Sequence, residues 1–361
     1  MYRGLSLMAA TTTSIPPRST LVNGAGIPHL TFAAFSGPFF AMKRSHSPLI
    51  LLTQTLTEDQ MARLTTAVPA ARIVRESQLA EDPDLLARIE ICYPRLPREL
   101  WSGAASLQWL QASFAGVDSL LKMPETRAHP AVITNVHIHA NCVAEHLWGM
   151  TLMLTRNLKR AVLAQEQGVW NEAPLAESLS SLAGRTLCIA GLGVIGEQCA
   201  AIGRTLGMRV IGIRRHRRAS PVADEIVGPE NRRDAFARSR VIMLLLPDTR
   251  ETRQFVGKDE LNAMQGAFLL NAGRGSSVDT AALVDALRTG NVRGVGLDVT
   301  DPEPLPRGHP LWAMENVVIT PHYGGVHPGY EEEAFVVFLA NLGRWVRGEP
   351  LENVVDKDAG Y

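Results

Sequence analysis

Three side chains in the second half of the chain have types suited to acid–base and anion chemistry: Arg274, Glu303 and His322. An imidazole titrates near neutral pH and can give or take a proton within one turnover. A carboxylate can orient that ring. A guanidinium can hold a carboxylate and polarise a carbonyl. Each residue stands in a short motif. These are Asn271-Ala272-Gly273-Arg274-Gly275, then Gly296-Leu297-Asp298-Val299 running on to Glu303-Pro304, then Thr320-Pro321-His322 with Gly324-Gly325. Alone, a His after a strand is usually a loop residue, an Arg beside glycines a solvated turn, and Glu-Pro a common loop pair. The ordered set is what makes them candidate catalytic residues.

A second kind of chemistry is written in Gly191-Leu192-Gly193-Val194-Ile195-Gly196. The segment follows an apolar run and opens a helix pattern, the setting in which such glycines let backbone approach a pyrophosphate at a helix N-terminus. About 20 residues on, an Asp or Glu would bind a ribose 2′-hydroxyl. The chain has Arg214-Arg215-His216-Arg217-Arg218 there. Guanidinium groups can hold a 2′-phosphate through forked hydrogen bonds, so NADP is expected in preference to NAD, with NAD possible. The alternative reading of this run is a solvated basic loop or a localisation signal.

The elements that must position these groups follow a strand–helix rhythm. Ser47 to Leu52, Ile89 to Tyr93, Leu107 to Ser113 and Ala131 to Asn135 read as strands, and Thr57 to Thr65 as a helix capped by Thr57. Cys142 to Arg160 is apolar all round and reads as one long buried helix. The rhythm restarts with strands at Leu187 to Ala190, Arg209 to Ile213, Val241 to Leu246, Phe268 to Asn271, Gly294 to Asp298 and Val317 to Thr320. Helix patterns lie at Glu197 to Leu206, Lys258 to Met264 and Thr280 to Arg288. The last helix pattern, Tyr330 to Trp345, is placed to cross back to the first half. The fold class is α/β, with parallel sheets covered by helices.

Composition bounds the function. The 361 residues suggest two domains or one large one, and 46% hydrophobic with 20% charged residues fits an ordinary globular chain. Lys plus Arg and Asp plus Glu are both 36, for a net charge of +0, so no large nucleic-acid face is expected. The four cysteines form no C-x-x-C pair, which argues against a disulfide scaffold and suits a reducing, cytoplasmic setting. No run reaches the ~18 apolar residues of a membrane span. His137 and His139 could ligate a metal, but no carboxylate or cysteine partner is evident nearby; they read as cleft-wall or surface residues and no metal is expected. The first acidic residue is Glu58, and the Ser-, Thr-, Pro- and Gly-rich stretch before it reads as a transit peptide, which would make the protein organellar, or as a leader before a start at Met42. The second reading is preferred because patterning begins at Leu49, and residues 1–45 are expected to be disordered.

Taken with Leu246-Pro247-Asp248-Thr249-Arg250-Glu251-Thr252 and Val143-Ala144-Glu145-His146, the motifs resemble those of the D-isomer-specific 2-hydroxyacid dehydrogenases, over about Pro48 to Val354. The resemblance implies two doubly wound domains, a Rossmann dinucleotide-binding domain (146–327) inserted in a flavodoxin-like substrate domain (46–145 and 328–361). It implies reduction of a small 2-oxo acid, glyoxylate or hydroxypyruvate-like, with His322 as acid/base paired with Glu303 and Arg274 on the carboxylate and carbonyl. Cofactor contacts are expected at Gly191, Gly193, Val194, Ile195, Gly196, Pro247, Thr252, Ala272 and Asp298, besides Arg214 and Arg215. Asp298 could equally cap a strand end. Ser113-Phe114-Ala115-Gly116-Val117-Asp118 resembles the family's substrate loop, where the N–H groups at Ala115 and Gly116 would bind a carboxylate. A homodimer is expected, since relatives commonly pair. Alternatives within the resemblance are phosphite oxidation, another NAD-linked D-2-hydroxyacid dehydrogenase, and a dinucleotide-sensing corepressor-like scaffold. Formate dehydrogenase is discounted because that family carries Gln where Glu303 stands.

Overall fold

Leu49–Leu52, four apolar residues in a row, can only lie where both faces are covered, and they form the second position of a parallel sheet. In the computed structural model, which describes residues 47–361 apart from 171, 173–175 and 177, this first sheet has five strands. They are β1 (Leu49–Leu52), β2 (Arg72–Arg75), β3 (Ile91–Tyr93), β4 (Trp109–Gln111) and β5 (Val132–Thr134), in the order β2-β1-β3-β4-β5. The helix Glu58–Ala67 begins where its cap residue directs: Thr57 Oγ1 accepts from the Gln60 N–H and the Gln60 side chain accepts from the Thr57 N–H.

The second sheet holds β6 (Thr186–Ala190), β7 (Arg209–Ile213), β8 (Glu225–Val227), β9 (Val241–Leu244), β10 (Ala267–Asn271), β11 (Val292–Leu297) and β12 (Val317–Ile319). Their order is β12-β11-β10-β9-β6-β7-β8, all parallel. The register levels their C-terminal ends: Ala190 pairs with Ile213 and Leu244, and Asn271 with Leu244 and Leu297. The loops after these strands therefore leave along one edge, and β6 sits where the strand order reverses. That is the crevice in which open α/β sheets bind ligands.

The helix Tyr330–Arg347 returns to the first sheet. Phe335, Phe338, Leu342 and Trp345 are fully buried; Phe338 stacks on Tyr93 at 4.4 Å and Trp345 on Trp109 at 5.7 Å. The chain then runs beside β5, with the Val355 N–H on the Ile133 carbonyl at 2.9 Å.

Two differences from the sequence reading have physical causes. The expected single helix Cys142 to Arg160 ends at Thr155; Asn157 takes a left-handed φ of 54°, and a new helix runs from Leu158 to Glu166. Asn tolerates that conformation, and the apolar residues beyond it, Leu158 and Val162, face out. β2 and β8 were not foreseen. Both are sheet-edge strands, and the first buries only Val74 of its four residues, so neither carries a continuous apolar run. The expectation for residues 1–45 lies outside the described residues. All four cysteines are free, and burial pushes the Cys199 thiol up to about 12. No described helix is long and apolar enough to cross a membrane.

Candidate active site

The glycine loop is built by three different constraints. Gly191 has φ of +96°, and a Cβ there would lie 2.4 Å from the Leu245 carbonyl oxygen. A Cβ on Gly196 would lie 2.5 Å from the Gly191 carbonyl oxygen, so this glycine lets the helix Val194–Thr205 close on the loop. Gly193 meets nothing within 4 Å. The first two requirements are internal packing; the third leaves open space in front of a helix start whose first N–H groups have no partner within the helix. Val194 and Ile195 form that first turn. These residues fit a dinucleotide pyrophosphate.

Around that loop, Pro247 and Thr252 form a closed turn: Thr252 Oγ1 donates to the Pro247 carbonyl and accepts from the Thr249 N–H at 2.9 Å. Ala272 hydrogen-bonds the Leu244 carbonyl and lines the crevice. Arg214 is turned inward. Its Nη2 donates to the Leu192 carbonyl and to Glu197 Oε1 at 3.0 Å, its side chain is 10% exposed, and its Nη1 is buried without a partner. Arg215 is exposed.

The three chemical groups face one cleft of about 960 Å³ between the two sheets. His322 Nδ1 lies 2.6 Å from Glu303 Oε1. His322 has a left-handed backbone, φ 53°, held by its N–H on the Asp298 and Thr320 carbonyls at 2.9 and 3.0 Å. A non-glycine residue fixed in that region is strained, and the surrounding hydrogen bonds hold it there. Asp298, 4% exposed, accepts from Thr320 Oγ1 at 2.7 Å and from the Tyr323 and Gly324 N–H groups at 3.2 and 3.1 Å. His146 Nε2 lies 2.8 Å from the same threonine oxygen. Asp298 thus ties the end of β11 to the histidine loop while also lining the cleft.

Arg274 reaches across the cleft. Its Nε and Nη2 both donate to Asp118 Oδ1, at 2.9 and 2.6 Å, and its Nη1 donates to the Gly273 carbonyl at 2.7 Å. Gly116 lies directly beneath: a Cβ there would sit 1.6 Å from Arg274 Nη2. The Ala115 carbonyl is held by Asn135 Nδ2 at 2.7 Å. Four residues from Asp118, Lys122 Nζ pairs with Asp248 Oδ2 at 2.7 Å.

Of the residues singled out by sequence, the cleft brings together Ala115, Gly116, Ile195, Ala272, Arg274, Asp298, Glu303 and His322. Gly191, Gly193, Val194, Gly196, Arg214, Arg215, Pro247 and Thr252 stand beyond its lining, on the loop and helix start after β6 and the loops after β7 and β9. Asp118 and Lys122 were not read as cross-cleft partners. His139, 8% exposed and stacked on Tyr330 at 4.9 Å, forms the far wall, where burial pushes its imidazole below the ordinary value. No group of three or more metal-ligating side chains occurs among the described residues.

Comparison with known proteins points one way. The family model of the NAD binding domain of D-isomer specific 2-hydroxyacid dehydrogenases matches residues 148–324. A glyoxylate reductase of Aeropyrum pernix is 31% identical over 291 residues, 78% of this chain and 86% of its own. A D-isomer specific 2-hydroxyacid dehydrogenase family protein from Aeromonas salmonicida superposes with a TM-score of 0.74 at 33% identity, covering 87% of this chain and all of the other. An NADPH-dependent glyoxylate/hydroxypyruvate reductase from Sinorhizobium meliloti, solved with NADP and sulfate, gives a TM-score of 0.74 at 26% identity over the same shares.

Proposed function

Since the chain belongs to the D-isomer specific 2-hydroxyacid dehydrogenase family, we propose that this NAD(P)-dependent dehydrogenase prefers NADP(H) and reduces a small 2-oxo acid of the glyoxylate or hydroxypyruvate kind to the D-2-hydroxy acid. The observation that carries the reading is the His322–Glu303 pair, 2.6 Å apart, on the same cleft as Arg274. The names of the Aeropyrum and Sinorhizobium relatives support the substrate class, and the basic run at Arg214 and Arg215 supports the cofactor. The boundaries we assign are 46–145 with 328–361 for the substrate domain and 146–327 for the dinucleotide-binding domain.

The reduced dinucleotide, when bound, supplies a hydride to the carbonyl carbon. The glycine loop and the start of the helix Val194–Thr205 would hold its pyrophosphate, and the loops carrying Pro247, Thr252, Ala272 and Asp298 would line its path to the cleft. Glu303 takes the Nδ1 side of His322, which leaves Nε2 to face the substrate and deliver a proton to the carbonyl oxygen. Arg274 holds the substrate carboxylate and stabilises charge growing on the carbonyl oxygen, and the backbone N–H groups at Ala115 and Gly116 take the other side of that carboxylate. Asp118 keeps the guanidinium plane in place, so the substrate meets an oriented fork and not a mobile charge.

The test is a panel of 2-oxo acids and phosphite with each cofactor, followed at the reduced-nicotinamide absorbance. Turnover of glyoxylate or hydroxypyruvate with NADPH favoured over NADH is the expected result. Turnover of phosphite alone, or a preference for NADH, overturns the corresponding part of the reading.

A further inference from the structure

Residues 355–361 connect the first sheet to the nucleotide side of the second. Val355 is rooted in the core of the first sheet at 6% exposure. After it the chain folds into a tight turn. The Asp358 and Ala359 N–H groups donate to Asp356 Oδ1 at 2.9 and 2.8 Å, the Gly360 N–H to the Asp356 carbonyl at 2.8 Å, and the Asp356 N–H to the Tyr361 carbonyl at 3.0 Å. Lys357 Nζ ties the turn back to the His129 carbonyl. Gly360, at φ +86°, lets the chain reverse; a Cβ there would sit 3.5 Å from Thr249 Cγ2, in the loop after β9. The Tyr361 ring then lies 5.8 Å from the Arg215 guanidinium, just after β7.

This turn therefore meets two of the segments that flank the glycine loop. Of the cations there, Arg214 is committed inward to the Leu192 carbonyl and to Glu197, and Arg217 is paired with Glu230. Arg215 is exposed and rests against an aromatic face. A guanidinium already resting over an aromatic ring loses less rotamer freedom when a phosphate arrives, and its planar fork of N–H donors suits that anion.

We propose that Arg215 is the group that meets the 2′-phosphate of the dinucleotide, that Tyr361 is its positioning residue, and that Arg214 braces the glycine loop. The inference rests on the NADP reading above. It is tested on the full chain by calorimetric titration with 2′,5′-ADP and 5′-AMP, fragments that differ only in that phosphate and need no turnover. Wild type binds 2′,5′-ADP more tightly. Tyr361→Ala weakens 2′,5′-ADP by about two- to fivefold, the size of an exposed cation–π contact, and leaves 5′-AMP unchanged. Tyr361→Phe restores wild-type affinity, Arg215→Ala abolishes the preference, and Arg214→Ala affects both fragments alike. Unchanged 2′,5′-ADP affinity in Tyr361→Ala, equal weakening of both fragments, failure of Phe to rescue, or loss of the preference in Arg214→Ala alone overturns the proposal while the NADP reading stands. Equal affinity of wild type for both fragments overturns the NADP reading and the inference with it, whatever the oxo-acid assay shows.

Discussion

Arg274 meets Asp118 through two nitrogens on one carboxylate oxygen, and this geometry makes the guanidinium irreplaceable by a simple cation. A lysine ammonium is a point charge on a flexible stem; it cannot hold Asp118 and a substrate carboxylate in one plane. Arg274→Lys should lower kcat/KM for the oxo acid by at least about tenfold, the loss of one charge-assisted hydrogen bond being worth roughly 1.5–3 kcal/mol. Steady-state kinetics check this, and a lysine variant with wild-type kcat/KM would show that only charge matters. At this scale Arg274, Glu303 and His322 were legible because each sits in a short ordered motif. Asp118 was visible only as a residue of the loop: its partner lies 156 positions away, and an ion pair of that span exists only once the chain has folded.

The glycine loop separates what an element needs for folding from what it offers a ligand. Gly191 is required by its left-handed backbone and by the Leu245 carbonyl, whereas Gly193 faces open space. Gly191→Ala should therefore cost about 1–3 kcal/mol of backbone strain, with the clash added to it, and lower Tm. Gly193→Ala should leave Tm near wild type while weakening dinucleotide binding, since its methyl would stand where the pyrophosphate approaches. Differential scanning calorimetry paired with dinucleotide titration distinguishes them; equal Tm losses in the two variants would contradict this division. Interior strands such as Leu49–Leu52 and Val241–Leu244 were legible as unbroken apolar runs. The edge strand Arg72–Arg75 was not, because one buried residue leaves no pattern. The break at Asn157 was hidden for the opposite reason: the apolar residues continue past it, and periodicity cannot tell a buried face from an exposed one.

Across the whole molecule, two ion pairs span the cleft from the turn at residues 118–122: Asp118 to Arg274 and Lys122 to Asp248. Burial pushes the Asp248 carboxyl up, but hydrogen bonds from Lys122 and Ser276 and the charges of Lys122 and Arg253 outweigh it, so the group sits below the usual carboxylate range. A depressed folded value means that the ionised form stabilises the fold. That contribution is complete above the unfolded value of about 3.9 and is lost as pH falls through the folded one. Thermal melts between pH 7 and pH 3 should show stability declining below about pH 4, with a shallower decline in Asp248→Asn. A variant with the wild-type acid limb would remove Asp248 from the account. The strand–helix rhythm made both parallel sheets legible, and the place of Tyr330 to Trp345 after the last strand pointed to its return to the first sheet. The cross-cleft pairs stayed hidden because they depend on how the two sheets meet, which no local pattern encodes.

The central claim is that His322, oriented by Glu303, supplies the proton that completes reduction of a 2-oxo acid. It is tested most directly by comparing single-variant kcat for glyoxylate with NADPH affinity in wild type and His322→Ala. In His322→Ala, kcat should fall by about 10²–10⁴-fold, the usual contribution of a positioned acid–base group, with NADPH affinity retained. Oxo-acid reduction by His322→Ala at the wild-type rate would contradict it.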